Sequence, residues 1–143
     1  MEKVAVAYWS GTGNTQQMAE AVAQGAKDAG AEVTLAEVGN LSAQEAAEYE
    51  RIAFGCPSMG DEVLEESEME PFFSEIQPLL SGKKVALFGS YGWGDGQWMR
   101  DWEERVKEAG ASLCASEGVI CNEAPDDEAL EACRKLGESL AGM

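Results

Sequence analysis

The chain has no histidine in its 143 residues. That absence removes Ser–His and Cys–His nucleophile pairs, histidine acid–base catalysis and cysteine–histidine zinc sites. Four cysteines are present, Cys56, Cys114, Cys121 and Cys133, but none is spaced as C-x-x-C. A four-thiolate metal site is therefore disfavoured, no metal is expected, and the cysteines read as small apolar residues in a reducing compartment. No apolar run approaches the ~18 residues of a membrane span. The opening "MEKVAVAYWS" lacks a basic segment followed by a long apolar stretch, so no signal peptide is expected and a cytoplasmic protein is the default. Basic residues are scarce: 10 Lys and Arg stand against 27 Asp and Glu, a net charge of −17. A field of that sign repels nucleic-acid backbones and anionic membrane surfaces. It would steer a basic protein partner, although acidity taken alone serves solubility equally well.

The length fits one domain, residues 1–143. A domain of that size buries roughly 70% of the surface its unfolded chain exposes. Strand-like runs alternate with helical periodicity. "KVAVAYW" (3–9) is β-branched and aromatic, and residues 14–29 carry Met18, Val22 and Ala26 at helical spacing before Gly30. "AEVTLAEV" (31–38) alternates like an edge strand. Ser42 with Glu45 forms a capping-box pair for a helix at 42–49. "RIAFGC" (51–56) is a third strand, stopped by Pro57. Residues 69–80 read as a helix with Pro71 in its first turn, and "KKVALFGS" (83–90) as a continuous apolar strand. Residues 97–109 form a helix with Trp98 and Trp102 on its core stripe. A fifth strand, interrupted near 115–118, lies within 111–121, and residues 126–141 close the chain as a helix. The predicted fold class is α/β, a doubly wound five-stranded parallel sheet of order 2-1-3-4-5 with helices on both faces.

In such sheets ligands bind beyond the carboxyl ends of the strands, where strand order reverses. Strands one, three and four are neighbours there, and their loops carry the unusual residues. "SGTGNT" follows strand one. Gly11 and Gly13 permit tight turns, the next helix offers free N–H groups, and Ser10, Thr12, Asn14 and Thr15 add side-chain donors. This is a phosphate cage with no cation. It lacks the Gly-Lys-Ser/Thr ending of a nucleotide loop, and Gln16 stands where G-x-G-x-x-G needs glycine. Glu37 keeps a dinucleotide site open, and a plain helix-capping turn is a further reading. After strand three, Met59, Gly60, Asp61 and Glu62 read as a turn, with Gly60 permitting the positive φ of a type II′ turn, or as an ordinary acidic turn. After strand four, "SYGWGDG" sets Trp93 between Gly92 and Gly94. That ring reads as exposed and open to a flat partner, or folded onto the loop base. Trp9 is ambiguous, ending strand one beside the cage. A planar heterocycle bearing a terminal phosphate fits the three loops together.

The stretches "YWSGTGNT", "MGDEVLEE" and "FGSYGWGDG" together make the sequence similar to short-chain flavodoxins of clostridia and related anaerobes, over essentially the whole chain. Flavodoxin is itself the type example of the 2-1-3-4-5 order with a flavin at the switch point, so the location of the site carries no independent weight. The resemblance implies a low-potential one-electron carrier with non-covalently bound FMN, working between redox proteins in place of ferredoxin. Partners would be redox proteins with basic docking patches, met transiently by a monomer. Ser10, Thr12, Asn14 and Thr15, with the backbone of Gly11 and Gly13, would hold the phosphate. Ser58 belongs to the implied site. Met59 and Trp93 would cover the two faces of the ring, and Glu62 would accept from flavin N3–H. The backbone from Ser90 through Tyr91, Gly92, Trp93 and Gly94 to Asp95 would line the ring and its side chain. The resemblance also implies that the Gly60–Asp61 peptide flips on one-electron reduction, so that the Gly60 carbonyl accepts from flavin N5–H. An FMN-dependent quinone or nicotinamide oxidoreductase of the same fold is the alternative. A phospho-receiver domain is a remote one, because "WSGT" and "CPSM" stand where its acidic residues would be.

Overall fold

The computed structural model describes residues 2–60 and 62–143. Its strands are β1 (Lys3–Tyr8), β2 (Glu32–Glu37), β3 (Arg51–Gly55), β4 (Lys84–Tyr91), β5 (Ser112–Leu113) and β6 (Val119–Asn122). Its helices are α1 (Asn14–Asp28), α2 (Ala43–Ala46), α3 (Met69–Ile76), α4 (Gln97–Glu108) and α5 (Asp127–Ala141). The sheet runs β2-β1-β3-β4-β5, with β6 also on β4, and every pair in it is parallel. The expected order is therefore observed.

Alternation along each strand sorts the core into two layers. Val4, Val6 and Tyr8 point with Ala53, Ala86 and Phe88 toward α1 and α5. Ala5, Ala7, Ile52, Phe54, Val85 and Leu87 point the other way, onto α3 and α4. Burying a side chain the size of Phe54 or Leu87 is worth about 1.5–3 kcal/mol. In register, Val6, Ala53 and Ala86 lie abreast across β1, β3 and β4. The small middle of that row suits the close approach of α1 and α5, where a Cβ on Gly25 would strike the Arg134 carbonyl and one on Gly137 the Val22 carbonyl.

Three local expectations are refined. The helix at 42–49 shrinks to α2, but its capping box is present: Glu45 N–H donates to Ser42 Oγ (3.0 Å) and Ser42 N–H to Glu45 Oε1 (3.1 Å). The helix at 69–80 ends at Ile76 and continues as a 3₁₀ turn over Gln77–Leu79. The fifth strand is two segments, because the chain leaves the sheet edge at Cys114–Ser116, with Ala115 at φ 62°. Gly118 then packs against Met99 and donates its N–H to the Glu103 carboxylate at 2.7 Å, which returns the chain to β4. Asn122 thereby pairs with Tyr91, at the same rim as the glycine-rich loops.

At the opposite end of the sheet the buried Arg51 guanidinium pairs with Glu2 at 2.6 Å and donates to the Met143 carbonyl. No helix among the described residues is long and apolar enough to cross a membrane.

Candidate functional site

The first loop leaves β1 at Tyr8. Gly13 sits at φ 95° ahead of α1 and supplies no side-chain cap. Ser10 takes over that role: its Oγ accepts from Gly13 N–H (3.1 Å) and Gln16 N–H (3.2 Å). The N–H groups of Asn14 and Thr15, in the first turn, have no intrahelical acceptor to use. They carry the positive end of the helix dipole, where anions bind. Gly11 allows the loop to close over Trp9, since a Cβ there would lie 3.0 Å from the indole. Thr15 is buried, and its hydroxyl lies 3.3 Å from that of Ser90.

The second loop is held from below. Cys56 N–H donates to Phe88 O (3.2 Å), Ser58 N–H donates to Ser90 O (3.0 Å), and Trp98 Nε1–H donates to Cys56 O (3.2 Å). Its tip is a small hairpin in which Met59 and Val63 exchange two hydrogen bonds of 2.9 Å. Gly60 has the expected positive φ, 50°, but the hairpin closes at Val63 rather than at Glu62, which also has positive φ (57°). Asp61 lies outside the described residues. Beyond the hairpin, Glu65 is only 5% exposed as a residue. Its carboxylate accepts from Ser67 N–H (2.7 Å), Glu68 N–H (2.8 Å), Met69 N–H (3.1 Å) and the Ser67 hydroxyl, which ties the returning loop to the start of α3. Burial pushes the Glu65 carboxyl up, but these hydrogen bonds together hold it below the usual carboxylate range.

In the third loop Trp93 is 60% exposed. Gly94 (φ 87°) and Gly96 (φ 93°) turn the chain into α4. The Glu62 carboxylate reaches across to that turn. It accepts from Gln97 N–H at 3.0 Å and lies where a Cβ on Gly94 would come within 2.5 Å of its carboxyl carbon. Asp95 pairs with Arg100 at 2.9 Å on the surface.

These loops enclose a cleft of about 570 Å³, inside the usual range for small-molecule sites. The first loop contributes Gly11, Thr12 and Asn14, the second Ser58 and Met59, and the third Ser90, Tyr91 and Gly92. Ser10, Gly13 and Thr15 are not among the residues that line it. Gly60, Glu62, Trp93, Gly94 and Asp95 lie on the hairpin and the helix-entry turn, outside the cleft walls formed by the described residues. Among those walls there is no lysine or arginine, and Glu123 is the charged member. Trp9, Pro57, Glu123 and Ala124 also line the cleft. Sequence reading missed Glu123 and Ala124, although the register of an interrupted fifth strand would have carried its following loop to the same rim. Glu123 N–H donates to Tyr91 O at 2.7 Å, with Glu123 at φ 57°, so the loop is bound to the third one.

All four cysteines are free thiols. Burial pushes the thiols of Cys56 and Cys133 up to about 12, and raises those of Cys114 and Cys121 as well. Among the described residues no group of three or more His, Cys, Asp or Glu side chains is placed to hold a metal ion.

The residues present fit a phosphate-bearing flat ligand. The cleft lining combines Asn14, at the start of α1, with the flat or apolar side chains of Trp9, Met59 and Tyr91. A match to the flavodoxin family spans residues 6–137. The chain belongs to the flavodoxin family. It is 48% identical to a flavodoxin of Clostridium beijerinckii over 138 residues, covering 96% of this chain and 99% of that one. It is 45% identical to a flavodoxin of Megasphaera elsdenii, covering 96% and 98%. The solution structure of two-electron reduced Megasphaera elsdenii flavodoxin superposes with a TM-score of 0.89 at 46% identity, over 98% of this chain and 99% of that one. Flavodoxins bind FMN and transfer electrons rather than act as enzymes, so membership favours the carrier over the quinone or nicotinamide oxidoreductase. Family membership is also compatible with the absence of lysine and arginine from the cleft walls. A flavodoxin's phosphate is an anchor for the ring and is not transferred, so its site has no developing charge to neutralise.

Proposed function

We propose that residues 1–143 act as a single FMN-binding domain, a cytoplasmic monomer that carries one electron at a time at low potential between redox proteins. FMN, when bound, supplies the one-electron chemistry, and the chain binds, orients and tunes it. The observation that carries this reading is the cleft itself: helix-start N–H groups, ring-sized walls and no cation. Ser10, Gly11, Thr12, Gly13, Asn14 and Thr15 hold the phosphate in this proposal. Met59, Tyr91 and Trp93 flank the ring, Glu62 accepts from its imide N–H, and the Gly60–Asp61 peptide adjusts to the redox state. Adding negative charge to a ring beside Glu62 and Glu123, in a chain of net charge −17, is unfavourable, so the carrier is strongly reducing. The same acidity suits brief docking to basic patches on partners and argues against nucleic acid.

Reconstitution with FMN followed by anaerobic spectral titration tests the assignment. Stoichiometric flavin absorbance and two separated one-electron steps are expected. Failure to retain FMN would overturn it, and saturable nicotinamide or quinone turnover by the isolated protein would move it to the oxidoreductase.

A further inference from the structure

We propose that the sulfurs of Cys121, Met18 and Cys133 form a binding site for one soft monovalent metal ion of the Cu(I) class, between β6, α1 and α5. The site is separate from the cleft and does not depend on the FMN reading.

The three sulfurs come from three elements: Cys121 from β6, Met18 from α1 and Cys133 from α5. They share the core layer under α1 and α5. Met18 and Cys133 are fully buried and Cys121 is half-buried, so Cys121 is the sulfur that an ion from solvent meets first. Cys121 Sγ lies 3.6 Å from Met18 Sδ. Two sulfurs that bind one ion at about 2.3 Å each, at tetrahedral to trigonal angles, stand roughly 3.8–4.0 Å apart. The pair is thus already near the spacing of two ligands on one ion. Cys133 is the neighbouring thiol. Burial raises it most, the Cys121 thiolate charge raises it next, and Arg134 acts the other way. A charge influences a buried group in this way only at short range.

The donor set selects the ion. Thiolate and thioether sulfurs favour Cu(I), whereas a zinc site takes four nitrogen or sulfur ligands and this chain has no histidine. Asp126 is close enough to raise the Cys121 thiol, after burial, but its carboxylate is committed to Ala129 N–H at 2.8 Å as the cap of α5. No group of three His, Cys, Asp or Glu is placed for a metal among the described residues, and here the third ligand is a methionine. Little hydrogen bonding is given up on binding. The Cys121 thiol has only long contacts, to Met18 Sδ and the Glu123 carbonyl, both at 3.6 Å. Each thiol that coordinates releases its proton to solvent and the ion takes that place, with no change of oxidation state. The net charge of −17 raises the local concentration of cations.

The full chain is kept anaerobic and titrated with Cu(I) against a chromophoric Cu(I) chelator. One ion per chain is expected to be retained. Cys121→Ser and Cys133→Ser should each weaken Cu(I) by more than about 100-fold, beyond the 10–100-fold typical of residues that only support a ligand. Met18→Leu, which keeps the core volume, should weaken it by about 10-fold. Cys56→Ala, in the opposite core layer, should leave it within about twofold. Unfolding midpoints show which variants are folded. X-ray absorption at the copper edge reads the parent chain without any variant, and three sulfurs at about 2.3 Å are expected. Loss of all copper to the chelator overturns the proposal. So does an affinity unmoved by Cys121→Ser, an equal fall in Cys56→Ala, or nitrogen or oxygen in the copper shell.

Discussion

The hydroxyls of Thr15 and Ser90 lie 3.3 Å apart, in two buried residues, and fasten the first turn of α1 to the end of β4. Thr15→Val keeps the shape and removes the partner, leaving the Ser90 hydroxyl buried and unpaired, at a cost of about 1–3 kcal/mol. In the Thr15→Val/Ser90→Ala double variant that orphan is gone, so its loss should be smaller than the sum of the two single losses. Urea unfolding of the three variants measures this. Simple additivity would show that the two hydroxyls do not interact.

Gly60 stands at φ 50° with no atom within 4 Å of where a Cβ would sit. Gly60→Ala therefore meets a conformational penalty, roughly 1 kcal/mol or more, and no clash. FMN affinity should fall modestly and the first one-electron potential should shift, since the Gly60–Asp61 peptide is the proposed redox-responsive element. An unmoved first potential would remove that peptide from the redox step.

Glu65 gives the second loop a pH dependence. Its carboxyl is held below its ordinary value of about 4.3 by four hydrogen bonds. The folded form therefore binds its proton less readily than the unfolded chain does. The stability it contributes is fully present above the unfolded value and is lost as pH falls through the depressed folded value. FMN retention should weaken over that acid range. In Glu65→Gln the acid-side slope should flatten and stability at neutral pH should drop, read by thermal unfolding from pH 3 to about 7. An unchanged slope would assign the acid sensitivity to other carboxylates.

Gly25 and Gly137 set opposing effects against each other. Replacing a helix-interior glycine by alanine gains about 0.5–1 kcal/mol of backbone propensity. Here the added methyl would strike the Arg134 carbonyl from Gly25, or the Val22 carbonyl from Gly137. Forcing packed backbone apart costs about 1–3 kcal/mol, so each alanine variant should unfold at lower denaturant than the parent. A rise in midpoint would mean that α1 and α5 separate at little cost.

Elements governed by neighbouring residues were legible from the chain. The α1 stripe of Met18, Val22 and Ala26 is buried, and the Ser42–Glu45 cap forms as its spacing requires. The break in the fifth strand appears where its pattern falters. The three loops that carry glycine among polar and aromatic residues do gather at one rim, because parallel order places the ends of β1, β3 and β4 side by side.

Other features depend on partners far along the chain, and no local pattern encodes them. Glu62 finds Gln97 and Trp98 finds the Cys56 carbonyl only once α4 is laid over β3 and β4. Glu65 looks like one acid in an acidic run, yet it is buried because the start of α3 surrounds it with N–H groups. Glu123 and Ala124 enter the cleft because β6 is in register with the end of β4. The sequence by itself determined the order of elements, the sign of the charge and a glycine- and hydroxyl-rich loop after β1 with no lysine or arginine, since these follow from composition and short-range geometry. Only the tertiary structure decided which carboxylates cap helices and which residues wall the cleft, since those depend on distances between segments dozens of residues apart.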